Sequence, residues 1–251
     1  MIRGAIFDLD GVLLDSLSIW YALGARYLRA RGLRPEPELG QILFPMSMEQ
    51  GADYLRTQYH LPESREEILA AFRALLQEYY FYEVPAKKGA VELLALLQSE
   101  GVALAAATSS PREHVAQALE RLGLLPYLQV LLTTSEVGES KHSPRIYLLA
   151  ADALGCVPEE TLVLEDSLYA LQTAKRAGFR TVGVFDAAGE PAQDRLRAEA
   201  DLYLTNLSDF AALRHMSAFQ GNTAQFQTGG ILGAPPYVAQ AVSRKCAALP
   251  K

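Results

Sequence analysis

The stretch AIFDLDGVLLDS, residues 5–16, decides how the rest of the sequence is interpreted. It begins as a short apolar run that can form a buried strand. Two carboxyl groups, Asp8 and Asp10, follow that run, and Gly11 then permits the chain to turn. In open parallel α/β sheets, ligands bind at the carboxyl edge of the strands, so the two aspartates are candidates for a functional site.

Four further apolar runs repeat this pattern, and segments with helical periodicity lie between them. They are VALAAA before TSS, VLL before TTSEVGESK, LVL before EDS, and TVGVF before DAAG. Such alternation predicts an α/β fold with a doubly wound, Rossmann-like parallel sheet. The helix after TSS is expected to have Ser110 as its cap and Pro111 at its first position.

The region from about Leu17 to Val84 differs, because it shows helical periodicity without buried-strand runs. It predicts a helical cap inserted after the first strand. The expected division is an α/β core at 1–15 and 86–215, a cap at 16–85, and a loosely structured tail at 216–251. Tyr79, Tyr80 and Tyr82 are interpreted as packing residues of the cap.

Composition excludes several classes of function. The chain has 251 residues, half of them hydrophobic, and its net charge of −6 provides no basic stripe for nucleic acid. Two cysteines do not make a disulfide-stapled secreted scaffold, and no apolar run reaches the length of a membrane span. We therefore expect a cytoplasmic protein that binds neither nucleic acid nor membranes. The sequence does not determine the oligomeric state, and a monomer is the favoured expectation.

The Asp8 and Asp10 pair has a specific chemical use. A carboxylate that attacks a phosphoryl group forms an aspartyl phosphate, and a second carboxylate can protonate the leaving oxygen and then deprotonate water. Taken alone, however, a DLDG segment is more often an ordinary strand end followed by a turn. Asp15 and Ser16, at the end of the same stretch, are interpreted as turn and helix-capping residues.

The motifs together resemble those of a known superfamily. FDLDGVLLDS resembles the first motif of the haloacid dehalogenase-like hydrolases, and AAATSS, SKHSPRIYLLA and LVLEDS resemble the next three in the same order. The resemblance covers about residues 1 to 210. It implies Asp8 as nucleophile and Asp10 as proton donor and acceptor. The phosphoryl group would be held by the Thr108 hydroxyl, the Ser109 backbone N–H and the Lys141 ammonium group.

The resemblance also implies magnesium as the cofactor. The Asp8 carboxylate, the Asp10 backbone carbonyl and the Asp166 carboxylate would hold Mg²⁺, with Glu165 binding directly or through water. Oxygen ligands of this kind suit that ion.

An aspartate two residues after the nucleophile is similar to the pattern of phosphatases and phosphomutases, not of dehalogenases. The insert resembles the cap of the β-phosphoglucomutase and phosphoglycolate phosphatase branch, which closes over the site and contacts the leaving group. Trp20 and Met46 are the candidates for that contact. We expect hydrolysis of a small phosphomonoester, such as a sugar phosphate or a similar metabolite. A phosphomutase, for which the cap lacks a Ser-Arg pair to grip a second phosphate, and a non-catalytic phospho-ligand sensor or scaffold are the alternatives.

Overall fold

A six-stranded parallel sheet forms the centre of the molecule. The computed structural model describes residues 1–209 and 212–213. The strands are β1 (Gly4–Phe7), β2 (Ala103–Thr108), β3 (Val130–Thr133), β4 (Thr161–Glu165), β5 (Arg180–Val184) and β6 (Leu202–Leu204). Their order is β3-β2-β1-β4-β5-β6, and every pairing is parallel. The chain therefore winds in both directions from β1, which confirms the predicted doubly wound fold.

The apolar runs form buried strands because both faces of the sheet are covered. Ile6 packs in one cluster with Ala105 and Tyr147, whereas its neighbour Phe7 packs in the other cluster with Leu93. Successive side chains of a strand point to opposite faces, so a strand buried on both faces needs a continuous apolar run. The five predicted runs are β1 to β5. The short edge strand β6 was not predicted.

Within the described residues, six α-helices surround the sheet: α5 (Ala90–Ser99), α6 (Arg112–Arg121), α7 (Thr134–Val137), α8 (Arg145–Ala153), α9 (Leu168–Arg176) and α10 (Gln193–Glu199). The prediction that Ser110 caps α6 is wrong. Pro111 is the N-cap residue and makes no side-chain capping bond, and the Ser110 hydroxyl instead donates to Asp10 at 2.6 Å.

Between β1 and α5 the chain is helical, as predicted. This helical insert, residues 18–83, contains α1 (Ser18–Arg29), α2 (Leu39–Leu43), α3 (Met48–Gln58), α4 (Arg65–Glu78) and a π-helical turn at Tyr79–Glu83. Capping boxes begin α3 and α4, where Ser47 pairs with Gln50 and Ser64 with Glu67. The five-residue α2 was not predicted.

Two segments connect the helical insert to the sheet, and they are hydrogen-bonded to each other. The Asp15 N–H donates to the Pro85 carbonyl at 3.0 Å, and the Lys87 N–H donates to the Leu13 carbonyl at 2.9 Å. The division into core and cap at residues 15 and 85 stays a prediction. The predicted tail, 216–251, lies outside the described residues, and among the described helices none is long and apolar enough to cross a membrane.

Candidate active site

The candidate site lies where the winding of the sheet reverses, at the carboxyl ends of β1 and β4. Asp8 follows β1 directly, and its N–H donates to the Leu164 carbonyl of β4 at 3.0 Å. Glu165 is the last residue of β4, and Asp166 comes next. Because parallel strands end at the same edge of the sheet, the pairing of β1 with β4 brings together carboxyl groups that are far apart in sequence.

Lys141 is the cation of this cluster. Its Nζ lies 2.7 Å from Asp8 Oδ1 and 2.8 Å from Glu165 Oε1, and the residue is only 2% exposed. Asp8 Oδ1 also accepts the Leu9 N–H at 2.7 Å. The loop before α8 thus delivers the lysine that the sequence motif singled out to the predicted nucleophile.

The cluster carries an excess of negative charge. Burial raises the pKa of Asp8 well above its usual range; Lys141 opposes that rise, while Glu165 and Asp166 add to it. Burial, followed by the charge of Glu165, raises the pKa of Asp166 to about 7. Burial alone would lower the pKa of Lys141, but the adjacent carboxylates outweigh it and raise that pKa above its usual value. One ammonium group does not neutralise three carboxylates.

A divalent cation fits this arrangement. Ligand oxygens from Asp8, Glu165 and Asp166 all lie within 4.8 Å of one another, and all three residues are buried. Glu165 Oε2 has no hydrogen-bond partner although it is fully buried. A buried carboxylate oxygen without a partner is costly unless a water or an ion contacts it. Three of the four predicted metal ligands are therefore grouped; the fourth, Asp10, was expected to contribute its backbone carbonyl.

The Asp10 carboxylate is held by three hydroxyl groups. Ser16 and Tyr80 both donate to its Oδ1 at 2.6 Å, and Ser110 donates to its Oδ2 at 2.6 Å. None of these three contacts was predicted. The prediction that Ser16 caps a helix is wrong, because the N-cap of α1 is Leu17. The prediction that Tyr80 is a packing residue is incomplete. Tyr80 does pack against Tyr79 and His114, but its hydroxyl reaches from the π-helical turn to Asp10.

Thr108 is the last residue of β2, and Ser109 follows it. Thr108 is fully buried, and its hydroxyl oxygen accepts the Ser110 N–H at 3.0 Å. Ser109 is exposed. Both stand at the carboxyl edge of the strand next to β1, as the motif predicts.

Comparison with known proteins assigns the chain to a family. The sequence model of the family described as haloacid dehalogenase-like hydrolase matches residues 5–184. The chain belongs to the haloacid dehalogenase-like hydrolases. Its relatives place it in the β-phosphoglucomutase and phosphoglycolate phosphatase-like branch.

Two curated relatives and one solved structure illustrate the similarity. The chain is 34% identical to a validoxylamine A 7'-phosphate phosphatase of Streptomyces hygroscopicus subsp. limoneus, over 83% of this chain and 96% of the relative. It is 31% identical to hexitol phosphatase A of Escherichia coli K12, over 84% and 94% respectively. A crystal structure from Thermotoga maritima, provisionally assigned as a β-phosphoglucomutase, superposes with a TM-score of 0.76 at 26% sequence identity. The superposition covers 85% of this chain and 99% of that one.

This haloacid dehalogenase-like hydrolase depends on Gly11 at the turn after Asp10. Gly11 has a φ of +78°, and a Cβ added there would lie 2.5 Å from Asp166 Oδ2. The positive φ and the close approach both favour glycine. The glycine of the first motif therefore permits the turn and leaves room for the Asp166 carboxylate.

A second ion pair, with Asp186 buried and Lys87 partly buried, lies near Asp166 and was not predicted. Lys87 Nζ lies 2.7 Å from Asp186 Oδ2 and donates to the Phe185 carbonyl at 2.7 Å. Lys87 lies on the segment that returns from the helical insert, and Asp186 follows β5. Their charges act on Asp166 in opposite directions, with Asp186 raising its pKa and Lys87 lowering it.

The two cap candidates line one apolar cavity of about 170 Å³ within the helical insert. Trp20 comes from α1 and Met46 from the loop before α3; Leu23, Met48 and Phe72 are also part of the lining. Trp20 and Met46 are therefore part of the same cavity wall. Their contact with a leaving group stays a prediction.

Proposed function

We propose that the protein hydrolyses a small phosphorylated carbohydrate or polyol with Mg²⁺, through an aspartyl phosphate on Asp8. The chain is a phosphoric monoester hydrolase of the haloacid dehalogenase-like type. The proposal concerns the roles of the residues, the metal and the class of substrate. The observation that carries it is the buried group of Asp8, Lys141, Glu165 and Asp166 at the switch point of the sheet.

Asp8 is the proposed nucleophile. Its Oδ1 is fixed by the Leu9 N–H and by Lys141, whereas in the described part of the chain no hydrogen bond reaches Oδ2. The carboxylate is therefore held in place with one oxygen available. Asp8, Glu165 and Asp166 would hold Mg²⁺, which supplies positive charge that stabilises the charge on the transferring phosphoryl group. Lys141 adds a second positive charge beside the nucleophile.

Asp10 is the proposed proton donor and acceptor. Its three partners are hydroxyl groups, and a hydroxyl can either donate or accept a hydrogen bond. The protonated Asp10 carboxyl can therefore donate its proton to the leaving oxygen, and the resulting carboxylate can take a proton from water, without losing its neighbours. This environment supports a group that must exist in two protonation states during one turnover.

The substrate class rests on the relatives and on the cavity of the helical insert. A hexitol phosphatase and a validoxylamine A 7'-phosphate phosphatase align over most of this chain. The cavity that contains Trp20 and Met46 includes no charged side chain in its lining. It therefore offers no cation to bind a second phosphate on the leaving group, and the carbohydrate or polyol class itself rests on the relatives.

The decisive experiment measures hydrolysis of p-nitrophenyl phosphate with Mg²⁺, followed by a panel of phosphorylated sugars and polyols. Asp8→Asn should abolish turnover, and Asp10→Asn should abolish steady-state turnover. Asp15→Asn is the matched control, because Asp15 belongs to the same motif but its side chain is exposed. Turnover by Asp8→Asn at the wild-type rate would refute the nucleophile assignment.

A phosphomutase is the second candidate, since one structural neighbour carries that provisional assignment. Incubation with β-glucose 1-phosphate and a phosphorylated activator distinguishes the two activities. Release of inorganic phosphate supports the hydrolase, whereas accumulation of glucose 6-phosphate supports the mutase. A phospho-ligand sensor or scaffold would bind the sugar phosphates without either product.

A further inference from the structure

Tyr147 is a buried residue of α8 that the proposed chemistry does not use. Its side chain is fully buried, and its ring packs edge-on against Phe179 with the centroids 6.2 Å apart. A phenylalanine would pack the same apolar surroundings equally well. The hydroxyl must therefore be explained by its partner, since a buried hydroxyl without one is costly.

That partner is Glu165. The Tyr147 hydroxyl donates to Glu165 Oε1 at 2.7 Å, and Lys141 Nζ contacts the same oxygen at 2.8 Å. The hydroxyl is the donor of this pair, because an ionised carboxylate oxygen can only accept. Both donors approach one oxygen of the carboxylate, and Oε2 is left buried without a partner.

We propose that Tyr147 is a positioning residue that holds Glu165 Oε1, so that Glu165 presents the single oxygen Oε2 to Mg²⁺. The inference rests on the proposed function, because it assumes that the carboxylate cluster holds this ion. Lys141 alone cannot fix the carboxylate, since its ammonium group is shared with Asp8. Tyr147 provides a second contact from a ring that the core holds rigidly.

The proposal predicts a change in metal selectivity. Mg²⁺ requires nearly octahedral coordination, whereas Ca²⁺ accepts both oxygens of one carboxylate. With the hydroxyl present, Oε1 is occupied and Glu165 offers one oxygen. Removal of the hydroxyl leaves Oε1 with Lys141 only, so the carboxylate can rotate and bind through both oxygens.

The test is calorimetric titration of the metal-free protein with Mg²⁺ and, separately, with Ca²⁺, without substrate. Tyr147→Phe should weaken Mg²⁺ binding by about 10- to 100-fold, the range for loss of a partner that orients a metal ligand. Binding of Ca²⁺ should change far less. Tyr169→Phe is the matched control, because Tyr169 also lies beside the cluster but stacks on His142 at 4.4 Å.

A Tyr147→Phe protein that binds Mg²⁺ as the wild type does overturns the proposal. Equal weakening of Mg²⁺ binding and Ca²⁺ binding, together with a lower melting temperature, also overturns the proposal, because that result indicates a purely structural role. A double-mutant cycle adds an independent check. In the Glu165→Gln background, Tyr147→Phe should have no further effect on Mg²⁺ affinity, and an additive effect would contradict the assignment.

Failure of the proposed function is distinguishable from failure of this inference. A wild-type protein that binds Mg²⁺ but hydrolyses no phosphate monoester removes the proposed activity and leaves the metal titrations of Tyr147→Phe interpretable.

Discussion

Replacement of Asp166 by asparagine should stabilise the metal-free protein at alkaline pH, although it removes a proposed metal ligand. The pKa of Asp166 is about 7 in the folded chain, compared with its ordinary value of 3.8. At pH values between these two, the folded chain holds a proton that the unfolded chain has released. Stability therefore falls as the pH rises through this window, and the loss is complete above pH 7.

The size of the effect follows from the same two values. The raised pKa of Asp166 lowers the stability of the folded chain by about 4 kcal/mol at pH 8, where the folded carboxyl ionises, and by about 2 kcal/mol at pH 5, where only the unfolded carboxyl ionises. The stability gained by Asp166→Asn should thus grow by about 2–3 kcal/mol between pH 5 and pH 8. Loss of the Asp166 charge also removes a repulsion that raises the pKa of Asp8. This second effect likewise stabilises the variant as the pH rises.

Thermal melting with EDTA and with Mg²⁺, at both pH values, measures this directly. Without metal at pH 8, the gain of about 4 kcal/mol should make the variant melt about 8–16 °C higher than the wild type. With Mg²⁺ at 100 times its dissociation constant, the wild type should gain about 2.7 kcal/mol, and the variant should gain little. Asp15→Asn is the control for loss of an exposed carboxylate.

The reasoning is refuted if Asp166→Asn lowers the melting temperature in EDTA at pH 8. It is also refuted if the difference from the wild type is the same at both pH values, because an ionisation cost must depend on pH.

Two other substitutions have matched controls within the chain. Tyr80→Phe removes one of the donors to Asp10 and should lower kcat about tenfold without changing Mg²⁺ affinity. The control is Tyr79→Phe, which removes a hydroxyl that contacts the Asp15 carbonyl and should leave kcat unchanged. Equal losses of kcat in both variants would contradict this prediction. Gly11→Ala and Gly138→Ala both place alanine at a positive φ, +78° and +77°, but only Gly11 faces Asp166 at 2.5 Å, and nothing lies within 4 Å of Gly138. In chemical denaturation and metal titration, Gly11→Ala should therefore lose more stability than Gly138→Ala and should lose Mg²⁺ binding, and equal behaviour of the two variants would show that the contact with Asp166 is unimportant.

Most of the fold was predictable because its central strands are buried on both faces. Continuous apolar runs such as AIF and LVL have few other stable arrangements in a chain with helices between them. The edge strand β6 (Leu202–Leu204) lacked that signal, since it is three residues long and only Leu204 is buried. Helix α2, at Leu39–Leu43, is equally short and lies between prolines. Packing against α1, not local propensity, accounts for it.

The charged centre was predictable for a related reason. Asp8, Glu165 and Asp166 follow apolar strands directly, so parallel pairing of β1 with β4 brings them together. Ser110 follows the apolar run of β2, which pairs in parallel with β1, so its position at this edge had the same signal. The sequence offered no comparable signal for Ser16 and Tyr80. Tyr80 and Asp10 are 70 positions apart, and only the path of the chain through the helical insert places the Tyr80 hydroxyl at that carboxylate.

The two aspartates of the first motif therefore have environments of different origin. Asp8 is held by the Leu9 N–H and by Lys141, and both contacts come from outside the helical insert. Asp10 instead receives Tyr80 from the last turn of the helical insert and Ser16 from the segment that leads into it. A displacement of the helical insert would disturb the contacts of Asp10 before those of Asp8. Substitution of Tyr80 should accordingly affect proton transfer while leaving metal binding intact, because the metal ligands and Lys141 belong to the sheet side of the site.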